Sequence, residues 1–213
     1  MDPFISTISP EYYVTSIEQL ESHYGEANPR SLTKEIDYIS DHYRKFIEAS
    51  PFVLLATSGP DGLDCSPRGD PAGFVRVQDE KTVLLPDRRG NNRLDTLRNL
   101  MHDPRTSLLF LIPGVGETLR INGRADLVTD PALRESFSIK GKLPTTVLVI
   151  TVESIYFQCQ KALVRSAIWK PETQIERTEL PSTGKMVEAL STDDFDGEAY
   201  DKGYPKHMKK TIY

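Results

Sequence analysis

Between residues 52 and 158 the sequence is a succession of short β-rich runs, "FVLLATS", "GFVRV", "TVLLP", "TSLLFLI", "TLRINGRADLV" and "TVLVITVESIYFQ". Several are separated by turn sequences such as "GPDG" and "QDEK". Strand following strand in this way predicts antiparallel pairing, since a βαβ sheet needs a helix between nearly every pair. The runs therefore suit a small closed or partly open barrel of mainly β structure with flanking helices. Helices are expected at about 92–101, where Leu94, Leu97, Leu100 and Met101 are apolar, and after Asp130-Pro131, an N-cap followed by proline at the first helical position. Another is expected over 31–50, because Ile36, Ile39, Tyr43, Phe46 and Ile47 recur at three- and four-residue spacing before Pro51.

A chain of 213 residues with 38% hydrophobic content can build one core, and no internal repeat divides it, so 1–213 reads as a single domain. A net charge of −5 argues against nucleic-acid and anionic-membrane partners. Cys65 and Cys159 have no zinc-like spacing, and four scattered histidines form no ligand or triad pattern, so no metal site and no disulfide is expected, and Cys159 reads as a core cysteine. The start "MDPFISTISP" lacks a basic n-region, and the greasiest runs, "SLLFLIPGV" and "TTVLVITV", are too short to span a bilayer. A soluble, cytoplasmic protein is expected. Residues 171–213 carry no sustained period and read as an arm, either disordered or buried on a partner subunit through Phe195, Tyr200, Tyr204 and Tyr213.

Four segments could carry chemistry. In "LLPDRRGNNRLDTLRNL", Arg88, Arg89 and Arg93 cluster where a helix begins, although the positive end of the helix dipole already lies there. Asn91, Asn92 and a backbone bared by Gly90 complete what an anion site requires; a solvated loop is the alternative. In "CSPRGDPAGFVRV", Ser66 and Arg68 precede a strand, and Arg68 either meets a ligand's acceptor edge or makes a turn salt bridge with Asp70. Thr118 and Arg120 in "GETLRINGRA" share one face of a strand, a ligand face or a solvated one. In "CQKALVRSAIW", Lys161, Arg165 and Trp169 fall on one side if the segment is helical, and Arg165 stacked on Trp169 would serve structure alone.

These segments, taken in order from about Leu20 to Trp169, resemble the FMN-dependent branch of the pyridoxamine 5′-phosphate oxidase-like superfamily. The resemblance implies a six-stranded antiparallel split β-barrel, homodimeric, with FMN in the grooves between subunits. It places Ser66 and Arg68 along the flavin and its phosphate tail, Leu85, Pro86 and Asp87 along the ring, and Asn91, Asn92 and Arg93 at the phosphate. Thr118 and Arg120 would reach the flavin from the facing subunit, with Lys161, Arg165 and Trp169 near the closing strand. The implied activity is that of an FMN-dependent oxidoreductase passing hydride or electrons between a reduced cofactor and a small organic acceptor. A non-catalytic flavin-binding or flavin-buffering protein is the alternative, and haem handling a more distant one. The serine, arginine and tyrosine set and the arginine–histidine motif of true pyridoxamine-phosphate oxidases are missing from "DPALRESFSIKGKLP" and "DKGYPKHMKKTIY", which argues against vitamin B6 oxidation.

Overall fold

The structure is a computed structural model that describes residues 8–213; residues 1–7, and with them most of the expected leaderless start, lie outside the described residues. The chain, read above as one domain, divides into two compact units, Met1–Glu35 and Ile36–Tyr213. The first holds α1 (Ile17–Tyr24), capped by the Ser16 hydroxyl, and α2 (Pro29–Thr33), with Asn28 as its cap and Pro29 at its start. Neither helix has a buried residue.

In the second unit, α3 (Asp41–Ala49) precedes β1 (Phe52–Gly59), β2 (Gly62–Gly69), β3 (Arg76–Val77) and β4 (Thr82–Asp87). Then come α4 (Asp95–His102), β5 (Arg105–Leu111), β6 (Thr118–Val128), α5 (Pro131–Ser136), β7 (Thr146–Gln158), α6 (Lys161–Ser166), α7 (Thr183–Leu190) and α8 (Gly197–Thr211). The strands form one antiparallel sheet in the order β2-β1-β5-β6-β7-β4-β3, consistent with a split-barrel fold. It has seven strands where the resemblance implies six. The strand absent from the six runs read in the sequence is β2, which carries Pro67 and pairs only with β1; an edge strand tolerates proline because one row of its backbone groups needs no partner. Alternating positions of β1, β5 and β6 point inward, and Val53, Leu55, Leu108, Phe110, Leu119 and Ile121 are almost fully buried beside Ile150 and Ile155 of β7. At the bulge between Asn122 and Gly123, a Cβ on Gly123 would lie 2.1 Å from the Thr151 carbonyl oxygen. No helix among the described residues is long and apolar enough to cross a membrane.

Three expectations need correction. The helix expected over 31–50 occupies only Asp41–Ala49, because Ile36 forms a β-bridge with Ile155 and Ser40 caps a new helix by accepting from the Tyr43 N–H at 3.3 Å. The tail is helical: α7 and α8 pack at Gly184 and Gly197, and the Gly184 N–H donates to Asp201 at 2.8 Å. Cys159 follows the end of β7 and is exposed, as is Cys65 on the edge strand, and both are free thiols.

Candidate functional site

The sheet order leaves β2 and β4 without a shared ladder, yet their C-terminal ends meet. Arg68 of β2 donates through Nη1 to Asp87 Oδ1 of β4 at 2.5 Å. Just beyond these strands, Arg88 Nε donates to Asp70 Oδ2 at 2.7 Å, and Arg88 Nη1 donates to the Phe137 carbonyl at 2.8 Å. Two crossed ion pairs thus join the distant ends of a curled sheet, and the turn salt bridge between Arg68 and Asp70 considered above does not form. Burial pushes the Asp87 carboxyl above its ordinary value, against the downward pull of the Arg68 guanidinium beside it.

Over this junction opens a cleft of about 600 Å³, within the size range of small-molecule sites. Its walls are Asp64, Ser66 and Arg68 from β2, Asp87, the loop 88–94, and Asp95 and Thr96 at the start of α4. Asn92 and Leu94 both adopt left-handed backbone, with φ of 61° and 63°. A leucine there costs roughly 1–2 kcal/mol, and such strain concentrates at ligand sites. Leu94 also occupies the N-cap of α4 without capping it by a side chain, so the first N–H groups of that helix have no such partner. A Cβ at Gly90 would meet nothing within 4 Å, so protein packing does not demand the glycine, and its main chain lies bare at the cleft.

The charges of the loop are largely settled inside the protein. Arg88 is paired with Asp70, and Arg93, its side chain 76% exposed, is paired with Asp95 at 2.8 Å. Arg89 lines the cleft with no hydrogen bond or ion pair to the described residues. Asp64 accepts from the hydroxyls of Ser66, at 2.9 Å, and Thr96. One further donor is unmet: Arg68 Nε is buried without a hydrogen-bond partner. An anionic ligand fits this set, with a free guanidinium, an orphaned N–H and an uncapped helix start in one cleft.

The cleft gathers six of the residues that the resemblance assigns to the flavin, Ser66, Arg68, Asp87, Asn91, Asn92 and Arg93. Leu85 is 1% exposed in the core, and Pro86 lines a smaller adjoining pocket of about 200 Å³. Thr118 and Arg120 are not among the cleft's lining residues; their side chains donate to Gln158, at 3.3 Å, and to the Tyr156 hydroxyl, at 3.1 Å. Lys161 and Arg165 lie on α6, but Ala167 turns left-handed with φ 52°, so Trp169 leaves the helix and donates through Nε1 to the Val115 carbonyl at 2.8 Å. Arg88 and Arg89, read in the sequence as part of the anion-binding loop, line the cleft too, whereas Asp64 and Thr96 were missed as site residues.

Residues 39–159, more than half of the chain, match the pyridoxamine 5′-phosphate oxidase family. The chain belongs to that family. Solved structures similar to this family member include HupZ of Group A Streptococcus, 21% identical over 56% of this chain and 93% of that one, with a TM-score of 0.45. A protein from Clostridium acetobutylicum related to general stress protein 26, of the pyridoxinephosphate oxidase family, is 18% identical over 55% of this chain and 85% of that one, with a TM-score of 0.42. An FMN-binding protein from Syntrophomonas wolfei is 12% identical over 55% of this chain and 88% of that one, with a TM-score of 0.41. No curated protein matches the sequence. The part that matches the pyridoxamine 5′-phosphate oxidase family includes the cleft and ends at Cys159, so α6, Trp169 and the helical tail lie beyond it.

Proposed function

We propose that the chain holds FMN in this cleft and serves as an oxidoreductase that passes hydride or electrons between a reduced cofactor and a small organic acceptor. The observation that carries the reading is the convergence of Arg68 Nε, Arg89 and the uncapped start of α4 on one cleft in a member of this family. Family membership favours a flavin, and the unmet donors favour a ligand with a phosphate. When bound, FMN supplies the redox chemistry; the protein binds it, orients it and tunes its potential. In this reading Arg89, Asn91, Asn92 and Arg93 hold the phosphate with the N–H groups of α4, and Ser66, Arg68 and Asp87 line the rest of the flavin. Asp87 stays fixed by Arg68 at the wall of the cleft.

The same reading includes a two-fold homodimer. Strands β2 and β3 have open edges, and Leu63 on β2 is 88% exposed, so a second copy has unpaired backbone and apolar surface to cover. Thr118 and Arg120 then serve the partner's cleft rather than their own. Protein purified without added cofactor should carry a flavin spectrum and oxidise NADH or NADPH in the presence of an electron acceptor. Flavin bound without steady-state turnover makes the chain a flavin-buffering protein. Failure to bind flavin at all overturns the proposal.

A further inference from the structure

Tyr213 lies far outside the part that matches the family, yet its hydroxyl donates to Asp70 Oδ1 at 2.8 Å. The Asp70 side chain is only 3% exposed, and a buried carboxylate is costly unless both oxygens find donors. Its two oxygens divide the work: Oδ2 takes the Arg88 Nε–H, and Oδ1 takes the Tyr213 hydroxyl. The ring of Tyr213 lies near two cations, with the Arg88 guanidinium carbon 5.9 Å and Lys140 Nζ 5.5 Å from its centroid. The hydrogen bond to Asp70, together with burial, holds the phenol pKa above its ordinary value, so the hydroxyl remains a donor. Arg88 in turn lines the cleft and opens the loop that carries Arg89.

We infer that Tyr213 is a positioning residue for the cleft: by holding Asp70 it fixes Arg88, and through Arg88 the loop that would grip an anionic ligand. The inference concerns the same site as the flavin reading and rests on it for the identity of the ligand. Mechanically it needs only the chain Tyr213–Asp70–Arg88, which also makes the helical tail part of the site's framework. Without the hydroxyl, Asp70 Oδ1 is a buried acceptor with no donor from the tail, and Arg88 is held from one side fewer.

Tyr213→Phe removes the hydroxyl and keeps the ring beside its two cations. Two measurements test it on the full-length chain. In the absence of ligand, trypsin should cut after Arg88 about 10-fold faster in Tyr213→Phe than in the wild type, relative to cutting after exposed Arg30, because cleavage needs the side chain released from Asp70 and Phe137. In fluorescence titrations FMN should bind roughly 5- to 30-fold more weakly while riboflavin, which lacks the phosphate, is unaffected. Asp70→Asn should weaken FMN similarly, and the double variant little further, since both act through Arg88. If the wild type binds no FMN but cleavage after Arg88 still rises, the positioning role stands and the flavin reading falls. Unchanged cleavage, or an equal loss for FMN and riboflavin, overturns the positioning role.

Discussion

Arg68 and Asp87 are bonded at 2.5 Å across a gap that no backbone ladder closes, one on the edge strand β2 and the other at the end of β4. The pair does two things at once. It fastens the ends of the curled sheet, and it turns Arg68 so that Nη1 is spent on Asp87 while Nε stays buried and unmet. The side chains are 21% and 11% exposed, so the pair is shielded enough for its loss to be felt.

Arg68→Ala leaves Asp87 buried without its cation and should cost about 3 kcal/mol in urea unfolding, the order seen when one partner of a buried pair is removed. Arg68→Lys keeps the charge but lacks Nε, so it should retain most of the stability and still lose FMN affinity. Equal stability of Arg68→Ala and wild type would show that the pair does not hold the sheet ends.

Asp87 and Asp103, each beside an arginine, should respond to pH in opposite senses. Burial raises Asp87 above 3.8 in the fold, so the folded chain takes up its proton more readily than the unfolded chain. Its contribution is present below that ordinary value and is lost as pH rises through the raised one. Half-buried Asp103 is held to about 2, first by the hydrogen bond from Arg105, so its contribution is present above 3.8 and is lost as pH falls toward 2. Carbon-detected NMR of the side-chain carboxyls should find Asp87 titrating well above Asp103; the reverse order contradicts these environments.

The phosphate should depend more on Arg89 than on Arg93. Arg89 is the loop guanidinium without a partner among the described residues, whereas Arg93 is largely exposed and tied to Asp95. Arg89→Ala should weaken FMN by roughly 2 kcal/mol, about 30-fold, and Arg93→Ala by less than about 1 kcal/mol, as measured by flavin fluorescence. A larger effect at Arg93 would restore the weight that the sequence alone gives it.

Gly123→Ala should be one of the more damaging single methyl additions. Its Cβ would meet backbone rather than a movable side chain, so β6 and β7 must separate at the bulge. A loss of about 3 kcal/mol is expected in denaturant unfolding, at the upper end of ordinary overpacking. Gly90→Ala, with open space around its Cβ, serves as the mild comparison and should leave unfolding nearly unchanged.

The strands were legible because their inward faces alternate or run apolar, as in "TVLLP" and "TSLLFLI". Strand β2 was not, because an edge strand with Asp64, Ser66 and Pro67 shows neither β-rich composition nor a continuous apolar face. The spacing of Ile36 and Ile39 mimics a helical stripe, but the β-bridge to Ile155 wins over local pattern. The tail's helices rest on a tertiary contact between Gly184 and Gly197 that no local period announces. At the site, the loop and its arginines were visible in sequence, but which carboxylate answers which arginine was not. Asp70 lies beside Arg68 in the chain and across the cleft junction from it in charge pairing, a matter of how the sheet curls.

If unmet donors in the cleft recognise the phosphate of a flavin, a paired titration of wild-type chain with FMN and riboflavin should separate the two ligands. Both ligands carry the same ring and differ in the phosphate. Two or more charge-assisted contacts, at roughly 1.5–3 kcal/mol each, should make FMN bind at least about 100-fold more tightly than riboflavin. The preference should shrink markedly in Arg89→Ala. Equal affinity for FMN and riboflavin, or no affinity for either, would mean that the cleft does not hold a flavin by its phosphate.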